Sequence, residues 1–208
     1  MLDEVYIYPL IVPKSYYVKG VWELPHRVFP TDNFILTWVF CKKHSGAMGY
    51  LTSEQYEGLE KDQPGWQQSA FENLRGKTGE SSKFFTHYKL SDDETRIIFL
   101  AFMNEDGVGS SRVLCSYELS RAFPQGYSVA FPDRSCGFVI PNGLLEKEQN
   151  DIRKMLKKTL QGASVPMSDQ LYRPDQFVLP ASWLQPMDVD HAGHVVRSIR
   201  IKTAATKQ

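Results

Sequence analysis

Two continuous apolar, β-rich runs constrain this chain most: Phe34-Ile35-Leu36-Thr37-Trp38-Val39-Phe40 and Ile97-Ile98-Phe99-Leu100-Ala101-Phe102. A strand with one solvated face alternates apolar and polar residues, whereas an unbroken run fits a strand covered on both faces. Both runs are therefore read as central strands. Shorter strands are read at Val5–Tyr8, 49–51, 84–90, 127–131, 137–140 and 194–201. The loop Ser91-Asp92-Asp93-Glu94 makes a hairpin of 84–90 and 96–102.

Helices are read between these strands. Trp66, Ala70, Phe71 and Leu74 share one helical face, with Gly76 as the stop, and Thr52-Ser53 precedes a shorter helix. Ser110 or Ser111 is expected to cap a helix carrying Val113, Leu114 and Tyr117. Leu145, Ile152, Met155, Leu156 and Leu160 mark a helix over 144–161, acidic early and rich in lysine late, as the helix dipole favours. Prolines punctuate 9–30 and 163–192, which are read as irregular. Strands and helices are mixed rather than strictly alternating. The expected fold is α+β: a single domain over 1–208, with a mixed or mainly antiparallel sheet and helices packed mostly on one face.

Charge narrows the function classes. The chain carries 24 Lys and Arg against 24 Asp and Glu, without the basic surplus of a general nucleic-acid binder. No stretch approaches the length of a membrane span, and the acidic start Met1-Leu2-Asp3-Glu4 lacks the apolar run of a signal peptide. Three unevenly spaced cysteines, Cys41, Cys115 and Cys136, make no disulfide framework and are read as thiols of a cytoplasmic protein.

Glycines, hydroxyls and charges gather between strong elements in one place only. Asp106, Gly107, Gly109, Ser110, Ser111 and Arg112 precede a helix, and Asp133 and Arg134 form a turn between two strands. Backbone N–H groups at a helix start attract anions, and a guanidinium suits a carboxylate or phosphate. Asp106, Gly109, Ser110, Ser111, Arg112, Asp133 and Arg134 are thus the candidate ligand-binding residues, while serine capping and loop-pinning ion pairs explain the same residues structurally. The patterns of a P-loop, a dinucleotide fold and a serine-hydrolase elbow are absent. Asp190, His191 and His194 have metal-ligating chemistry, but a bare His-x-x-His lacks the zincin glutamate, so a solvated turn is preferred and neither metal nor cofactor is expected.

Several short motifs carry a family resemblance: Phe34–Val39, Gly49-Tyr50-Leu51-Thr52, Trp66 with Ala70 and Glu72-Asn73-Leu74-Arg75, Asp106-Gly107 with Ser111-Arg112-Val113-Leu114, Val129-Ala130-Phe131-Pro132-Asp133-Arg134, and Pro166-Met167-Ser168 with Leu171. Over about residues 33–171 they resemble the YtpQ-like family of uncharacterised bacterial proteins. Both ends depart from that family. The resemblance implies an α+β domain with no assigned activity and transfers no catalytic residue. It draws attention to Arg112 and Arg134. The expectation is a cytoplasmic protein, not an enzyme, that binds a protein partner, a second copy of itself or an acidic ligand. The alternative is an enzyme or binding protein for a small phosphorylated or carboxylated molecule at the 106–112 and 132–135 loops.

Overall fold

The structure, a computed structural model, describes residues 2–17, 23–31, 33–43, 45–79, 87–103, 107–185 and 199–202. Strands expected at 84–86 and 194–198, the residue Asp106, and the tract with Asp190, His191 and His194 lie outside them. The fold is α+β with antiparallel sheets. The chain divides into two compact units, each with its own five-stranded sheet, where the sequence suggested one domain.

The first unit comprises Met1–Val28, Asp32–Lys77 and Pro180–Gln208. Its sheet is built on β1 (Leu2–Pro13), β2 (Arg27–Val28), β3 (Phe34–Lys42), β4 (Met48–Tyr50) and β10 (Ile199–Lys202), in the order β10-β1-β3-β2, with β4 also on β3. β3 is central and buried from Phe34 to Val39, as its unbroken apolar run requires. β1 runs through Pro9, beyond the expected Val5–Tyr8, and so corrects the irregular reading of 9–13. Among the described residues β1 pairs with β10 from Leu2 to Val5 and with β3 from Val5 to Pro13.

Two helices, α1 (Ser53–Asp62) and α2 (Trp66–Gly79), follow β4. Thr52 caps α1: its hydroxyl accepts from the Gln55 N–H, and the Gln55 side chain accepts from the Thr52 N–H. Trp38 lies at the middle of the core, with ring centroids 4.7 Å from Trp66, 5.6 Å from Trp183 and 6.3 Å from Phe71. Trp183 belongs to α5 (Ala181–Leu184) and is half-buried against Trp38. Asn73 of α2 donates to the Ile7 carbonyl at 3.1 Å, meeting a β1 backbone group.

The second unit comprises Phe29–Thr31 and Thr78–Leu179. Its strands are β5 (His87–Leu90), β6 (Ile97–Phe102), β7 (Tyr127–Asp133), β8 (Cys136–Pro141) and β9 (Pro166–Tyr172), in the order β5-β6-β8-β7-β9. β9 corrects the irregular reading of the segment after 163. Its sequence, Pro-Met-Ser-Asp-Gln-Leu-Tyr, shows no apolar alternation; it is a strand because β7 offers an open edge, and its proline stands at the first position.

Gly137 and Phe138 are neighbours on β8 and face opposite sides of the sheet. On the Gly137 side lies a 3₁₀ turn, Gly109–Leu114. On the Phe138 side lies α4 (Glu146–Gln161), whose Ile152 and Leu156 pack with Ala130, Phe138 and Ile140. Between the 3₁₀ turn and β7 comes α3 (Ser116–Ala122). The expected helix from Ser110 through Tyr117 is therefore two pieces, broken at Cys115, and neither serine caps it through its side chain. The close approach of Gly109 and Ser110 to Ser135 and Gly137 accompanies the narrower winding.

Candidate functional site

The two loops singled out in the sequence meet. The Ser110 N–H donates to the Arg134 carbonyl at 3.3 Å, and the Arg134 N–H donates to the Val165 carbonyl at 3.2 Å. Gly109 leaves no room for a side chain: a Cβ there would lie 1.9 Å from the Ser135 carbonyl oxygen and 2.8 Å from that of Phe102. Gly137 likewise admits Val113 and the Ser110 backbone. This close approach draws 109–114 into a 3₁₀ turn.

The junction is closed. Ser110, Ser111 and Arg112 are each 0% exposed, Gly109 is buried, and Asp133 is 7% exposed; Arg134 is half-buried. Asp133 ties the turn together. One carboxylate oxygen accepts from the Ser135 N–H at 2.7 Å and the Ser135 hydroxyl at 2.6 Å, and the other accepts from the Val165 N–H at 3.0 Å. Burial by itself would push the Asp133 carboxyl upward, but the Ser135 hydroxyl and the Val165 and Ser135 amides outweigh it and hold the carboxyl below its ordinary value.

The sign of the resulting pH dependence follows. A carboxyl depressed in the folded state adds stability above its unfolded pKa of about 4 and loses it as pH falls through the lower folded value. Asp133→Asn is expected to cost about 2 kcal/mol at pH 7, the scale of charge-assisted hydrogen bonds. In urea unfolding from pH 7 to pH 3 the gap between variant and wild type should narrow below pH 4. A constant gap would assign Asp133 a steric role instead.

Other candidate chemistry is muted. All three cysteines are free thiols, and Cys115 and Cys136 are buried. Burial, with the Asp133 charge second, pushes the Cys136 thiol up to about 12, so it holds its proton at neutral pH and is no nucleophile. Among the described residues no cluster of three His, Cys, Asp or Glu side chains could hold a metal ion. No described helix is long and apolar enough to cross a membrane.

The open feature of the second unit lies elsewhere. α4 packs chiefly on β7 and β9. The other half of that sheet face, over β5 and β6, forms a groove of about 270 Å³ beside α4. Its floor is Leu90, Ile98, Phe99, Ile152 and Met155, and Leu145 stands at its entrance, 61% exposed. Lys89, Asp92, Lys147, Glu148 and Asp151 line the rim. Glu148 anchors one end: its carboxylate accepts from the Leu145 N–H at 2.8 Å and from the Arg96 guanidinium at 3.0 Å. The start of α4 is thereby fixed to the β5–β6 hairpin.

The sequence reading missed this groove. Leu145 and Met155 looked like core positions of an amphipathic helix, and only the placement of α4 toward β7 and β9 leaves them beside open space. No family model, curated protein or solved structure matches the chain.

Proposed function

We propose that this chain is a non-enzymatic, cytoplasmic binding protein that docks a protein partner in the groove between α4 and the β5–β6 hairpin. The observation that carries this reading is the groove itself: a floor of Leu90, Ile98, Phe99, Ile152 and Met155, fronted by an exposed Leu145. A large apolar side chain set at the mouth of an apolar groove with a polar rim is the composition of a partner surface. The free thiols accord with a reducing compartment. The groove is preferred to a small-anion site at Gly109–Arg112 because Ser110, Ser111 and Arg112 are fully buried and the Ser135 carbonyl closes over Gly109. The proposed kinship with the YtpQ-like family rests on the short motifs quoted above and adds no activity.

A photo-crosslinking amino acid at position 145 of the full chain, expressed in its native cells, tests the reading. A discrete adduct with another polypeptide is expected, lost on Met155→Asp and absent when the crosslinker replaces the exposed Glu57. If position 145 gives no more adduct than position 57, the docking reading fails.

A further inference from the structure

We propose that Asn142 is a site of spontaneous covalent modification: it forms a succinimide with Gly143 that opens to isoaspartate or aspartate and releases the Gln125–Gly126 turn.

The reaction needs a nucleophile, a reachable carbonyl and water. The Gly143 amide nitrogen attacks Cγ of the Asn142 side chain. The new Cγ–N bond forms, the Cγ–Nδ2 bond breaks, and Nδ2 leaves as ammonia, carrying the proton that the Gly143 amide gave up. Water then opens the five-membered ring. Addition at Cγ gives aspartate. Addition at the main-chain carbonyl gives isoaspartate, with the chain routed through Cβ.

A side chain on the following residue shields the attacking nitrogen, and glycine has none. Asn33, Asn73, Asn104 and Asn150 precede Phe, Leu, Glu and Asp; only Asn142 precedes Gly. The fold keeps that glycine in place, because Gly143 sits at φ 80°, where other residues are strained. Both residues are exposed, and a Cβ on Gly143 would meet nothing within 4 Å, so water reaches the peptide link. Asn142 Nδ2 donates to the Gln125 carbonyl at 3.2 Å in an exposed hydrogen bond. Such a bond favours the closed side chain only about fivefold, so it slows the reaction without blocking it.

That same bond gives the modification its consequence. The nitrogen that leaves is the donor to Gln125. A carboxylate takes its place, and an ionised carboxylate only accepts, as the Gln125 carbonyl does. The fit around Nδ2 is close: a Cβ on Gly126 would lie 2.6 Å from it. Isoaspartate also adds a carbon to the main chain between Pro141, paired with Tyr127, and Leu144, packed in the core with Ile152 and Leu156. Only Asn142 and Gly143 lie between those anchors to absorb it.

Ageing the purified full chain at 37 °C and pH 8, followed by digestion at mildly acidic pH and mass spectrometry, tests the proposal. A gain of about 1 Da is expected at Asn142, with isoaspartate confirmed by isoaspartyl methyltransferase labelling. Asn33, Asn73 and Asn150 should stay intact over the same period. Asn142→Gln should remove both signals, since its longer side chain must close a six-membered ring. The aged fraction carries one more negative charge and separates by anion exchange. In hydrogen exchange its 123–127 segment should open about fivefold more often than in fresh protein, the effect of one lost hydrogen bond. If Asn142 ages no faster than Asn150, the site is wrong. If the modified fraction exchanges at 123–127 like fresh protein, the release of the turn is wrong.

Discussion

Gly109→Ala is expected to destabilise the second unit by about 3 kcal/mol or more, at the upper end of what overpacking costs. The added carbon would sit 1.9 Å from one backbone carbonyl oxygen and 2.8 Å from another, and neither can rotate away as a side-chain tip would. Relief requires the 3₁₀ turn to lift off β8, which would also break the Ser110 to Arg134 hydrogen bond. Urea unfolding should show the loss directly. Gly162→Ala is the matched control. A Cβ there meets nothing closer than 3.7 Å, so the change should stay within about 1 kcal/mol. If Gly109→Ala unfolded like wild type, the close packing of 109–114 on β8 would be wrong.

Arg75→Ala is expected to cost about 3–5 kcal/mol in the first unit, the usual penalty for stripping one partner from a buried ion pair. Arg75 is 1% exposed and Glu72 3%. The guanidinium donates to Glu72 at 3.0 Å and also to the Leu184 carbonyl, tying the end of α5 to α2. Gln68 donates to the next carbonyl, that of Gln185, at 2.9 Å. Removing Arg75 leaves a carboxylate in the core and frees α5, so Trp183 should lose its packing on Trp38. Tryptophan fluorescence during denaturant unfolding reports both effects. The double change Glu72→Gln with Arg75→Met should recover part of the loss, since it strands no charge. A double change as costly as the sum of the two single ones would show that Glu72 and Arg75 do not act as a pair.

These two positions show how unevenly the molecule could be read beforehand. The run Phe34–Phe40 and the amphipathic stretch ending at Gly162 specified their own elements, because burial on both faces or on one stripe leaves a periodic trace in the residue types. β9 left none: its pairing is a backbone property of the β7 edge. The loops Gly109–Arg112 and Asp133–Arg134 meet in the structure, but their closure was not legible in the sequence. Glycine at a close approach and glycine in a phosphate-cradling loop are the same residue, and only the Ser135 carbonyl beside Gly109 distinguishes them.

What the sequence determined alone was local and additive: α+β elements, the Thr52 cap, the central strand β3, a balance of charge. The tertiary structure decided which apolar surface stays open. That depends on where α4 lands across a sheet wider than one helix, and landing position is set by side-chain packing between segments far apart in the chain. Leu145 and Met155 carry the same hydrophobicity wherever that helix sits. Only its placement over β7 and β9 leaves them lining a groove.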